Sequence, residues 1–154
     1  LNPLGQDRWG AVPVLAPIAA FPMDTSLALV SLVYAQIMRA HPKLRIAFSH
    51  GGGSAMTAIN RMQQFWQAAP EMLNPLPEAP LDTARRFYYD TLVYQPALLR
   101  ALRDLFGPER LIIGTDDPFA IRQQNPAAFV RGCGLAEAEL AGVLGGNALR
   151  FLGL

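Results

Sequence analysis

A chain of 154 residues is long enough for one domain with a real core, and 51% of it is apolar against only 16% charged. A net charge of +1 with no basic cluster argues against a nucleic-acid footprint. The single cysteine, Cys133, excludes an internal disulfide framework and a multi-cysteine metal site.

So low a charged fraction points to a tight oligomer or to a piece of a larger protein. No apolar run reaches the length of a membrane span, and no charged start leads into an apolar core. A cytoplasmic protein without a membrane partner is therefore expected. The first residue is Leu1 rather than Met, so the true start is expected upstream.

Leu1–Phe21, with Pro3, Pro13 and Pro17 and with Pro22 just beyond, reads as an irregular loop with a short helix near Trp9. Asp24-Thr25 then caps a helix whose buried face carries Leu27, Val30, Leu32, Val33 and Ile37 and which ends near Ala40, before Pro42. The apolar run Leu44–Phe48 is a buried strand. It leaves through Ser49-His50 into three glycines, and a helix follows over Ser54–Ala68, with Met56, Ile59, Met62 and Phe65 as its core stripe.

Pro70–Pro80, with four prolines, is an extended connection. A second strand, Arg86–Asp90, precedes a helix opened by Pro96 and closed by Gly107-Pro108. A third, Arg110–Gly114, leaves through Thr115-Asp116-Asp117-Pro118-Phe119. Helical segments near 126–132, 135–144 and 147–152 finish the chain. Cys133 falls in a turn, as a buried or idle thiol.

Three apolar strands, each followed by a helix, imply an α/β fold with parallel strands and crossover helices. Their exits carry His50, Asp90 and Asp116. Ligands in such sheets bind beyond the carboxyl ends of the strands, so a histidine and two carboxylates share one rim.

Imidazole and carboxylate suit a divalent metal, but a catalytic zinc needs about three protein ligands, and His41 lies at the far end of the first strand. A proton-carrying histidine and a half-buried structural histidine in a strand-to-helix turn both fit His50. An esterase oxyanion loop at His50-Gly51-Gly52-Gly53 would require a Gly-x-Ser-x-Gly elbow, which the sequence lacks, and neither phosphate-binding glycine motif is present.

Several stretches, in this order, resemble the amidohydrolase-related family of metal-dependent TIM-barrel enzymes. They are Pro42-Lys43-Leu44-Arg45, Ser49-His50-Gly51-Gly52-Gly53 with Arg61, Tyr88-Tyr89-Asp90-Thr91, Leu111-Ile112-Ile113-Gly114-Thr115-Asp116-Asp117-Pro118-Phe119 and Gly146-Asn147-Ala148. The branch they resemble is that of aminocarboxymuconate-semialdehyde decarboxylase and related aromatic-acid decarboxylases.

The resemblance implies a (β/α)₈ barrel with one divalent metal, zinc in most members, at the carboxyl-end face. It implies Asp116 as a metal ligand and His50 as the acid/base beside the metal. It also implies Arg61 as a carboxylate-binding residue reaching a neighbouring subunit's site in a homo-oligomer, and Phe119 as a wall of the substrate pocket. Asp117 replaces a common tyrosine or other residue and is expected to cap the following turn.

The family's His-x-His pair is missing, and its further metal histidine should fall just before Asn2. Residues 1–154 are therefore expected to form one unit, the carboxyl-terminal part of such a barrel with strands six to eight. Pro17 stands roughly where the muconate-type enzymes have a pocket tryptophan. The function implied is decarboxylation or hydrolysis of a small carboxylated aromatic or enoic acid. The alternative is a non-catalytic barrel segment that packs against a partner chain.

Overall fold

The computed structural model describes residues 14–73 and 76–154. The expected helix near Trp9 and the loop around Asn2-Pro3 lie outside the described residues. Helix α1 spans Phe21–Tyr34 and is continuous with a π-helical turn over Ala16–Ala20. This corrects the expectation of a loop up to Phe21 and a cap at Asp24. Pro22 has no N–H to donate, and the turn ahead of it widens so that the Phe21 N–H reaches Ala16 O. Asp24 sits in the first turn of α1. Thr25 lies inside the helix, where its Oγ1 donates to Phe21 O at 2.9 Å.

The inward face of α1 is centred on Ser26, Leu29 and Val33, while Leu27, expected inside, is 58% exposed. Ala16–Tyr34 gives 19 helical residues with mean hydropathy 1.5, long and apolar enough by length and composition to cross a membrane. This too corrects the sequence expectation, which divided the stretch at its prolines. Helix α1 packs on the helix that follows the first strand.

The expected single helix to Ala40 is broken at Gln36, which turns left-handed at φ 54°. A short α2, Ile37–Ala40, follows. Strands β1 (Ala47–Phe48), β2 (Tyr88–Asp90) and β3 (Leu111–Ile112) form a parallel sheet in the order β1-β2-β3. Ala47 pairs with Tyr88, Phe48 with Tyr89, Tyr89 with Leu111 and Asp90 with Ile112. All three strands start later than expected; β1 and β2 end at Phe48 and Asp90 as expected, and β3 also stops early, at Ile112. Leu44 N–H turns back to His41 O instead of entering a ladder, and Leu44 is 40% exposed.

Helices α3 (Ala55–Ala68) and α4 (Pro80–Ala84) connect β1 to β2, and α5 (Pro96–Phe106) connects β2 to β3. The expected extended connection over Pro70–Pro80 thus contains a 3₁₀ turn, Pro70–Leu73, and ends in α4. Pro80 occupies the start of α4, where a missing N–H costs little. Gln63 Oε1 accepts the free Leu81 N–H at 3.1 Å. Helices α6 (Pro126–Arg131), α7 (Glu137–Ala141) and α8 (Asn147–Leu152) complete the fold, the last two joined by a π-helical turn over Gly142–Gly146.

Beneath the strand exits lies an aromatic layer. Tyr89 stacks on Phe106 with ring centroids 4.1 Å apart, and Phe48 meets Phe87 edge-on at 5.2 Å. Each such ring contributes about 1.5–3 kcal/mol by leaving water. The Tyr89 hydroxyl donates to Ala84 O at 2.8 Å, which removes the cost of burying it. Buried Asn147 donates through Nδ2 to Pro108 O at 2.8 Å and Leu111 O at 2.6 Å, tying α8 to the entrance of β3. Cys133 is a buried free thiol whose Sγ donates to Phe129 O.

Candidate active site

The rim begins where β1 stops. Ser49 is still extended, and four consecutive residues then take positive φ: His50 at 55°, Gly51 at 58°, Gly52 at 81° and Gly53 at 63°. Two of these glycines are required by close approach as well as by φ. A methyl group on Gly51 would stand 2.5 Å from Val93 and 2.7 Å from Leu102. One on Gly53 would stand 1.9 Å from Pro22 O. The chain brought close by the glycines is thus the molecule's own α1 and the β2–α5 loop.

This tight turn leaves His50 half-buried on the wall of a cavity of about 680 Å³, with Pro17, Pro22, Tyr94, Leu98 and Ile121 among its other walls. The His50 Nδ1 is buried and has no hydrogen-bond partner among the described residues.

Asp90, at the exit of β2, faces the same turn. Its Oδ1 accepts the Gly51 N–H at 2.8 Å and the Leu92 N–H at 3.1 Å. Burial pushes its carboxyl above the usual carboxylate range, against the pull of the Gly51, Leu92 and His50 amides and of the imidazole. The β3 exit presses on it from the other side, since a methyl group on Gly114 would lie 2.7 Å from Asp90 Oδ2. Thr91 Oγ1 accepts the Gly114 N–H at 3.3 Å.

Asp116 then turns left-handed at φ 63°, and Tyr94 does so at 59°. The Tyr94 phenol is pushed up, by burial first and then by the Asp116 and Asp90 carboxylates. Non-glycine residues at positive φ therefore stand after every strand: His50, Tyr94 and Asp116. Strain of this kind persists where the surroundings over-determine it, and functional sites are where it gathers.

The structure brings His50, Asp90 and Asp116 to the same end of the parallel sheet, the end that holds the cavity; Asp90 and Asp116 are not among the cavity walls. Arg61 is exposed on α3, with its guanidinium 5.5 Å from the Phe65 ring centroid, away from the cavity walls. Phe119 is 63% exposed in the turn after a cis Asp117–Pro118 bond, and Ile121, two residues on, reaches the cavity instead. In that turn Asp117 pairs with Arg122 at 3.5 Å, and its own N–H donates to Thr115 Oγ1. His41 is exposed ahead of β1, at the opposite end of the sheet.

Sequence reasoning missed Tyr94. The signal available was the short loop between Asp90 and Pro96, which has no room to leave the rim. Among the described residues no three His, Cys, Asp or Glu side chains gather closely enough to hold a metal ion. What is present fits part of such a site: a carboxylate and an imidazole with an unpartnered buried nitrogen on one rim.

Residues 9–154 match the family model described as amidohydrolase. The chain is 32% identical over 141 residues to the 2-amino-3-carboxymuconate-6-semialdehyde decarboxylase of Dictyostelium discoideum, covering 89% of this chain and 39% of that one. It superposes on the 5-carboxyvanillate decarboxylase of Sphingomonas paucimobilis with a TM-score of 0.82 at 25% identity, over 99% of this chain and 47% of that one. A dihydroxybenzoic acid decarboxylase from Polaromonas sp. JS666, solved with bound manganese and the inhibitor 2-nitroresorcinol, shares the fold with a TM-score of 0.84 at 22% identity, over 100% of this chain and 48% of that one. The chain spans less than half the length of each of these proteins. With its strand-exit histidine and aspartates in the order described, the chain belongs to the amidohydrolase family.

Proposed function

We propose that this chain is the carboxyl-terminal part of a metal-dependent decarboxylase acting on a small carboxylated aromatic or enoic acid. In this reading Asp116 supplies one ligand to a divalent cation, zinc or manganese. The remaining ligands come from strands outside this segment, and the three strands described are the sixth to eighth of a closed barrel. The metal, when bound, polarises an oxygen of the substrate and so lowers the barrier to charge developing on it.

The observation that carries the reading is His50. Its imidazole lies on the wall of an apolar cavity, has a free buried Nδ1 and stands on the same rim as Asp116. In decarboxylation the C–C bond to the carboxylate breaks, CO₂ leaves, and the electron pair stays on the ring or enoic carbon. His50 as imidazolium places a proton on that carbon and is left neutral. The apolar walls, Leu98 and Ile121 among them, exclude water and take the flat face of an unsaturated acid. Arg61 pairs with a substrate carboxylate in the site of a neighbouring subunit, and Phe119 closes the pocket from the β3 side. Decarboxylation is favoured over hydrolysis because the curated relative and the two solved enzymes above bear decarboxylase names.

The test is a panel of hydroxybenzoic, vanillic-type and muconate-type acids offered to the full-length protein, with CO₂ release measured. Turnover of one of these classes, lost with a chelator and restored by zinc or manganese, is expected. Hydrolysis of esters or amides without any CO₂ release would contradict the reading. The absence of a three-donor cluster among the described residues favours one further expectation: the isolated 154-residue chain is inactive and binds zinc only weakly.

A further inference from the structure

The rim contains one charged group to which the proposed chemistry gives no task. Asp90 is largely buried, and among the described residues it makes no ion pair with lysine or arginine. Instead, its Oδ1 collects two backbone amides, those of Gly51 and Leu92. Its other oxygen lies against Gly114, whose bare Cα is what permits the approach. These three contacts fall one residue after His50, two before Tyr94 and two before Asp116. Each of those three residues has the left-handed backbone that side-chain-bearing residues avoid. Such conformations need an external hold, and a carboxylate accepting amide protons supplies one of the stronger kinds.

We propose that Asp90 is a positioning residue: its Oδ1 fixes the turn that aims the His50 imidazole into the cavity, and its side chain keys the β2 and β3 exits to that turn. The proposal rests on reading His50 as the proton carrier. It assigns Asp90 no contact with substrate and no proton of its own. Two features separate it from a metal-ligand reading. Oδ1 is already taken by two N–H donors, and Oδ2 occupies the space that a side chain on Gly114 would need.

The test compares Asp90→Asn with Asp90→Ala in the full-length protein. Two readouts are used: the imidazole NMR signal of His50, assigned by its loss in His50→Gln, and steady-state kinetics with the acid found by the panel above. Asparagine keeps an oxygen at the Oδ1 position. The Asn variant should therefore retain the His50 signal of the parent and a kcat within about threefold of it. Alanine removes the acceptor. It should shift or broaden the His50 signal and lower kcat by about 100-fold while leaving KM and metal content unchanged.

The proposal is overturned if asparagine is as damaging as alanine, since the charge itself would then act. It is overturned too if alanine leaves both the signal and kcat in place. Should the alanine variant fail to fold, the asparagine arm still decides: a retained His50 signal supports the proposal and a displaced one contradicts it. The NMR arm needs no turnover, so a wrong reaction assignment and a wrong role for Asp90 give different outcomes.

Discussion

The centre and the exit of β2 show how differently one strand can be treated. At its centre, Tyr89 is fully buried, stacked on Phe106 and hydrogen-bonded to Ala84 O, and the backbone around it is regular. At its exit, one residue later, Asp90 is a carboxylate that pairs with no lysine or arginine among the described residues, and the nearby loops carry His50, Tyr94 and Asp116 at positive φ. Stability accumulates in the aromatic layer, whereas the rim spends conformational freedom to hold particular groups in place. Substitutions in the two regions should therefore fail in different ways, which gives several means of breaking or sharpening the contrast.

The largest effect on folding is expected where rim and helix interlock. In Gly53→Ala the new methyl group meets the Pro22 carbonyl oxygen, a backbone atom that cannot rotate away, at a φ of 63°. A loss of about 3 kcal/mol is expected, read as a lowered urea midpoint. A stability near that of the parent would show that α1 and the glycine turn do not pack as described.

Next is Asn147→Ala, which leaves Pro108 O and Leu111 O without their donor. About 2 kcal/mol should be lost by the same measurement, with no change in the KM of the whole enzyme. The Gly146-Asn147-Ala148 stretch that helped to reveal the family is by this account a clamp on β3 rather than part of the chemistry.

The smallest is Tyr89→Phe, about 1 kcal/mol for the hydrogen bond to Ala84. Its value is in its pH dependence. Burial holds the folded-state pKa of Tyr89 far above the phenol's ordinary 10.0. The contribution of the neutral phenol is therefore complete below about pH 10 and drains away as the pH rises beyond it, because only the unfolded chain can ionise there. Tyr89→Phe should flatten that alkaline loss in a urea-midpoint series against pH. An equally steep loss in the variant would place the sensitivity elsewhere.

Much of the rim is legible in the sequence itself. An apolar run that stops at a polar residue and is followed by a helix is a parallel strand exit, and three of them in succession place His50, Asp90 and Asp116 together. The element boundaries are less legible, for physical reasons. Pro17 and Pro22 read as breakers because proline lacks a donor, yet Pro17 stands in the first turn of the helical segment, where no donor is needed, and Pro22 is carried inside it by the widened turn ahead. Pro80 stands in the first turn of α4 as Pro17 does in its own segment. Gln36 ends α1 by turning left-handed, and nothing in an isolated glutamine announces that.

The inward face of α1 is misplaced in the sequence reading because Leu27 and Leu29 look alike there, and only tertiary packing selects one. Tyr94 reaches the rim through loop length rather than through any pattern of its own. Glycines in a row after a strand permit close approach without saying of what. They admit Pro22, Val93 and Leu102 of the same chain, a choice made by packing across distant segments.

The central claim is that the imidazole of His50 serves the reaction and not the metal. His50→Ala in the complete protein, with turnover and bound metal measured on the same sample, tests it most directly. Turnover should fall by at least about 100-fold while metal content stays at the parent value. Loss of the metal together with activity would make His50 a ligand, and retained turnover would remove it from the chemistry altogether.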